Sequence, residues 1–159
     1  MNEYVLDKVD SKILQSLAKD GRMGWRDLAD RIGLSLTPTL RRVRRLEAEG
    51  YISGYGAHID EQRVGVGITM FVSVTLERQT EETLKVFERR IAQAPEVMSC
   101  HLMTGEADYL LRVVMSDLAS YQRFMLDVLT RIPGVSHIQS GLAIKPVFQR
   151  VAPPIPRIR

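Results

Sequence analysis

Residues Ser35 to Gly50 read S-L-T-P-T-L-R-R-V-R-R-L-E-A-E-G, and the rest of the chain is organised around them. Ser35 is a good N-cap, because its hydroxyl can accept from an unpaired N–H of the first turn. Pro38 has no N–H to give, so the cap is expected to run through Thr37. Gly50 suits the left-handed position just past a helix end. Leu36, Leu40, Val43 and Leu46 recur at spacings of four and three and predict one apolar face. Arg41, Arg42 and Arg45 then point away from it, with Thr37 and Pro38 one turn earlier, and Arg44 lies at the flank. No carboxylate interrupts the cationic run before Glu47. Charge alone leaves two readings, a solvated basic face or a nucleic-acid surface.

The residues just upstream favour the second. Trp25 to Ile32 (W-R-D-L-A-D-R-I) is a short amphipathic helix with Leu28, Ala29 and Ile32 inward. Gly33-Leu34 turns the chain into Ser35. A short helix, a glycine turn and a second helix with hydroxyl and basic residues near its start make a helix-turn-helix. In that motif the second helix enters the major groove and its first residues meet base edges. Thr37, Pro38, Arg41 and Arg42 are expected nearest the bases, and Arg44 and Arg45 nearest phosphates. Upstream again, Asp7 to Ala18 predicts a first helix, with Asp7 as cap and Asp10 three residues on completing the first turn. Trp25 is read as packing at the start of the second helix rather than as a stacking platform.

At 159 residues the chain has room for one large domain or two small ones. The formal charge of +3 permits nucleic-acid binding without requiring it; the arginine cluster matters more. Cys100 is the only cysteine, which rules out an intrachain disulfide and fits a reducing cytoplasm. No stretch is apolar enough to span a bilayer, so no membrane partner is expected. His58, His101 and His137 are scattered and predict no metal site. Ser140 lacks the context of an activated nucleophile. Gly65-x-Gly67 lacks the third glycine and the helix of a phosphate loop. Glu106 and Asp108 could pair as acid and base, or shape a hairpin tip.

Tyr51 to Ile59 has strand residues broken by glycines, as a short wing or a strand leaving the helical part would. Asp60 to Arg63 is polar and reads as a hinge. Beyond it, Val66 to Leu76 alternates as a half-buried strand. Thr80 caps a helix to Gln93, and Val97 to Met103 and Asp108 to Met115 are strands. Asp117 caps a second helix ended by Pro133-Gly134, and Val135 to Phe148 is a long last strand. The order β-α-β-β-α-β predicts a ferredoxin-like unit with both helices on one face of an antiparallel sheet. Apolar residues occur at both parities of the strands, so a partner subunit is expected on the other face. The fold class is thus α+β: a helix-turn-helix (winged-helix-like) domain over residues 1–60, a ferredoxin-like domain over 61–150, and a Pro-rich basic tail, 151–159, expected to be poorly ordered.

Taken together, these motifs resemble the Lrp/AsnC (feast/famine) family. The likeness runs from about Leu6 to about Phe148. It is carried by Val9-Asp10 with Ile13-Leu14, Asp20-Gly21-Arg22, Leu28-Ala29, Gly33-Leu34-Ser35, Arg41 through Glu47, Gly50, Tyr51-Ile52 and Gly54-Tyr55. In the second half it is carried by Gly105-x-x-Asp108-Tyr109-Leu110, Asp117-x-x-x-Tyr121 and Leu129 through Val135. The resemblance implies a cytoplasmic transcription regulator rather than an enzyme. It would bind double-stranded promoter DNA, respond to a free amino acid, and form homodimers that assemble into octamers or other even multimers. No cofactor is implied beyond the effector. Gly105 and Asp108 are expected to hold that amino acid, with Ser140 adding a hydroxyl from the last strand. Leu102, Met103, Met125 and Val135 lean the pocket toward an aliphatic or thioether side chain. Two departures stand out: Ser140-Gly141 replaces a pair of hydroxyl residues, and Pro146 falls on the last strand. Two alternatives remain, an enzyme of the same layout, as some haem-precursor decarboxylases have, and a ligand-binding module that does not touch DNA.

Overall fold

The computed structural model describes residues 5–150, 152–156 and 158. They fall into two compact units. Ile59–Val147 is one; the other runs up to residue 58 and takes in the described residues from 148 onward.

The first unit is three helices, α1 (Lys8–Lys19), α2 (Trp25–Ile32) and α3 (Leu36–Ala48). α1 starts at a reciprocal capping box. The Asp7 carboxylate accepts from the N–H groups of Val9 and Asp10, each at 2.8 Å, and Asp10 accepts from the Asp7 N–H at 3.1 Å. Such a box satisfies N–H groups that no helical carbonyl can reach. α2 ends at Gly33, whose φ of +76° is left-handed backbone that a residue with a Cβ resists. Ile13, Leu28, Val43 and Leu46 close the core between the helices, each at most 2% exposed. Fully burying a side chain of that size contributes roughly 1.5–3 kcal/mol. Trp25 is not packed away as expected; two-fifths of it stays exposed.

The second unit is β1 (Ile68–Leu76), α4 (Glu81–Ile91), β2 (Val97–Leu102), β3 (Tyr109–Met115), α5 (Leu118–Asp127), a 3₁₀ turn (Leu129–Arg131) and β4 (Val135–Leu142). The strands are antiparallel in the order β2-β3-β1-β4, which is the ferredoxin-like arrangement. Thr80 and Asp117 cap α4 and α5 through the N–H groups of Thr83 and Ser120. Alternate residues of the central strands, Val72, Val74, Leu111 and Val113, are fully buried under Phe87, Ile91, Tyr121 and Phe124 of the helices. The opposite parity forms the other face, where Phe71 stands 44% exposed beside Ser73 and Leu110. Gly67 is fixed by crowding at the entry to β1. A Cβ there would lie 2.0 Å from the Ser116 carbonyl oxygen, where the Gly67 N–H donates to Met115 at 2.8 Å.

Three expectations change. Residues 51–60 form no strand. The Tyr51–Ile59 segment leaves α3 as extended chain, tied by the Ile52 N–H on Leu46 (3.1 Å) and the Tyr55 hydroxyl on Glu47 (2.8 Å). β4 ends at Leu142 rather than Phe148; its last rung is the Ala143 N–H on Thr69, and Pro146 has no N–H with which to resume the ladder. The tail does not stand apart. The buried Ser11 hydroxyl of α1 donates to the Pro156 carbonyl at 2.5 Å, and Ile155 and Ile158 are half-buried. Val151, Arg157 and Arg159 lie outside the described residues.

Candidate nucleic-acid interface and effector region

A helix turns about 100° per residue, and α3 is rotated from the expected setting. Thr39, Val43 and Leu46 face inward. Thr39 takes the place expected of Leu36 because its hydroxyl is satisfied within the helix, on the Ser35 carbonyl at 2.9 Å. Leu36, the first residue of the helix, is 37% exposed. Ser35 holds the N-cap position with extended backbone, but its hydroxyl makes no capping bond; the expected bond to Thr37 is not formed.

The rotation redistributes the arginines. Arg42 turns toward α1, where its Nη1 donates to Asp7 at 2.6 Å and to Asp10 at 2.9 Å. Asp10 is fully buried and the Arg42 side chain only 25% exposed. Arg42 therefore bridges α3 to the start of α1 through two carboxylates. Arg45, at 3.7 Å from Asp10, borders the same network. Arg44, expected at the flank, comes to the exposed face beside Thr37 and Arg41, while Pro38 is half-buried. The exposed face of α3 then carries Ser35, Thr37, Arg41 and Arg44, with Arg45 beside them. A planar guanidinium gives five donors suited to guanine edges and phosphates alike.

The network also sets an acid limit. Burial pushes the Asp7 carboxyl up, but the Asp10 N–H, the Arg42 guanidinium and the Val9 N–H together hold it below its ordinary 3.8. A depressed carboxyl contributes stability that is complete above its unfolded value and is lost as pH falls through the lower folded value. Asp7→Asn is therefore expected to destabilise the protein at pH 6 and to match the parent at the acid end of a titration followed by circular dichroism. A constant difference down to pH 2 would contradict this.

In the sheet unit the three residues expected around the effector are not brought together. Asp108 is 6% exposed and already engaged: Oδ2 accepts from the Leu76 N–H at 2.7 Å and Oδ1 from the Gln79 amide at 2.5 Å. Its carboxylate ties the start of β3 to the end of β1. Gly105 lies at the exposed tip of the preceding hairpin with φ +126°, and nothing lies within 4 Å of where a Cβ would stand. Ser140 pairs with Val72, four residues along β1 from Leu76, hence about 13 Å away. It sits on the helix side, where its hydroxyl bonds that of Tyr121. Sequence reasoning missed Gln79 and Tyr121 as partners of these residues, since neither pairing shows in a motif. Among the expected apolar residues, Leu102 and Met103 are exposed beside the hairpin, whereas Met125 and Val135 pack against the core. Among the described residues no cluster of three metal-ligating side chains occurs, and no helix is long and apolar enough to cross a membrane.

A helix-turn-helix with an exposed arginine face, joined to a ferredoxin-like unit, defines a ligand-responsive transcription regulator. Comparison with known proteins agrees: residues 6–53 match the winged helix-turn-helix DNA-binding domain and residues 69–153 the Lrp/AsnC ligand-binding domain. The chain belongs to the Lrp/AsnC family. It is 60% identical over 150 residues to the bkd operon transcriptional regulator of Pseudomonas aeruginosa, covering 94% of this chain and 98% of that one. It is 37% identical to the leucine-responsive regulatory protein of Escherichia coli, over 91% of this chain and 88% of that one. A Neisseria meningitidis transcriptional regulator solved with L-methionine superposes with a TM-score of 0.90 at 35% identity, covering 94% and 97% of the two chains. The enzyme alternative falls with this finding, since these relatives are regulators.

Proposed function

We propose that this regulator reads promoter DNA through Thr37, Arg41 and Arg44 and works in the cytoplasm as a homodimer or larger even multimer, up to an octamer. An aliphatic or thioether amino acid is its effector, and no further cofactor takes part. The name of the Pseudomonas relative supports an operon of the bkd type among the targets, and the L-methionine complex supports an effector of that chemistry. The observation that carries the DNA reading is the outward placement of Arg41 and Arg44 while Arg42 is held by carboxylates. Subunits pair through the sheet face that carries Phe71, opposite the face on which α4 and α5 pack. Light scattering at micromolar concentration is expected to give an even multimer; a monomer would remove this basis.

The effector region is the Gly105 hairpin, with Asp108 holding it against β1 and Leu102 and Met103 beside it. Ser140 is too far along the sheet to share that pocket within one chain. Asp108→Asn keeps the size but weakens the acceptor for the buried Leu76 N–H, a loss of about 1–3 kcal/mol. It is expected to lower the melting temperature and to reduce L-leucine or L-methionine binding by tenfold or more in calorimetry. Binding at the parental affinity would move the effector elsewhere.

A further inference from the structure

Among the described residues of the four strands, Arg112 is the only Asp, Glu, Lys or Arg. It lies on β3, an inner strand, opposite Phe71 of β1 and Ser99 of β2. It therefore stands near the centre of the face that carries Phe71. Its neighbours on that face, Thr69, Ser73, Leu110 and Val114, are uncharged.

The countercharge comes from outside the sheet. Nη2 of Arg112 donates to both carboxylate oxygens of Glu61, at 2.6 and 2.7 Å, and the Arg112 side chain is only 18% exposed. Glu61 belongs to the segment that leads into β1. That segment is folded on itself: the Val64 N–H donates to the Asp60 carbonyl at 3.3 Å and the Val66 N–H to the Glu61 carbonyl at 2.9 Å. Glu61 is thus brought to Arg112 by its own turn, and the exposed Asp60–Arg63 pair beside it takes no part. In a two-fold pairing the same patch serves both subunits. A lone cation at the centre of such a patch would be stripped of water and brought toward its own copy. Leaving one charge of a buried pair without its partner is strongly unfavourable, whereas replacing both by apolar groups is often neutral.

We propose that Glu61 makes this face fit to pair with a second copy of the chain. It neutralises Arg112, and the face pairs only while the segment ahead of β1 is seated. The proposal rests on the reading of the Phe71 face as the subunit interface and adds a condition to it. Subunit association and the seating of the chain that enters the sheet become one equilibrium.

Sedimentation velocity on the full chain, over a dilution series at pH 8 where a histidine of ordinary pKa is uncharged, tests it. Glu61→Gln keeps the size but takes the carboxylate from Arg112. It is expected to raise the dimer dissociation constant tenfold or more, with a far-ultraviolet spectrum like the parent's. Arg112→Leu removes the charge together with the pair and should associate as tightly as the parent. Combining Arg112→Leu with Glu61→Gln should recover what Glu61→Gln alone loses. An ion pair that only braced the fold would weaken both single variants and leave the double no better, and that pattern overturns the proposal. Phe71→Ser separates the proposal from the reading beneath it. If Phe71→Ser splits the subunits while Glu61→Gln associates as the parent does, the face pairs but Glu61 does not govern it. If Phe71→Ser and Glu61→Gln both associate as the parent does, the interface lies elsewhere and both readings fall.

Discussion

Replacing Arg41 and Arg44 together by alanine is expected to weaken binding to a cognate promoter fragment about 100-fold. Each side chain lies on the outward face of α3, and a bidentate arginine–guanine contact is worth roughly 1–3 kcal/mol of discrimination. Two such losses near the lower end give the two decades. If an arginine meets a phosphate instead, its removal weakens all sequences alike and flattens the salt dependence by about one. Gel shifts on cognate and scrambled DNA at two salt concentrations separate these outcomes. Arg42→Ala should behave differently, lowering the melting temperature while leaving base preference unchanged, because its guanidinium is committed to Asp7 and Asp10. A double variant that bound as tightly as the parent would refute the assignment of the reading face.

Asp10→Ala should unfold the helical unit more readily than any surface substitution in it. The fully buried carboxylate accepts from the Asp7 N–H and from Arg42, so its removal leaves both short of a partner. Breaking a buried ion pair from one side costs roughly 3–5 kcal/mol; because Arg42 retains Asp7, about 3 kcal/mol is expected. In a domain of this size that is a fall on the order of 10–20 °C in melting temperature. DNA affinity should fall with it even at temperatures where the unit is folded, since Arg42 loses one of its two anchors on α1. Asp10→Asn, which keeps an acceptor for the Asp7 N–H, should fall between the two. A melting curve unchanged in Asp10→Ala would show that the network contributes nothing.

Local signals were legible where a residue acts on its own neighbourhood. Asp7 with Asp10, Thr80 and Asp117 cap their helices as their positions predict. The alternation in β1 and β3 orders the sheet. Misreadings arose where a side chain is satisfied by something distant or unexpected. Thr39 counts as polar in a periodic pattern, yet the Ser35 carbonyl makes it an inward residue and turns the helix. Arg42 reads as one of a cationic run because its carboxylates lie 32 and 35 residues away. Asp108 and Ser140 are motif residues on neighbouring parts of one sheet, but strand register decides which pairs can meet, and here it keeps them about 13 Å apart.

The bond between Ser11 and Pro156 bears on how the molecule is made. The sheet unit is an insertion in the helical unit, so the segment that covers Ser11 leaves the ribosome only after every residue of the sheet has been synthesised. Until then α1 presents an uncovered serine and an incomplete surface to solvent. A fusion or affinity tag attached behind Pro156 would therefore burden the DNA-binding half of the protein, and a fragment cut at the 58/59 boundary would express a helical unit lacking part of its own wall.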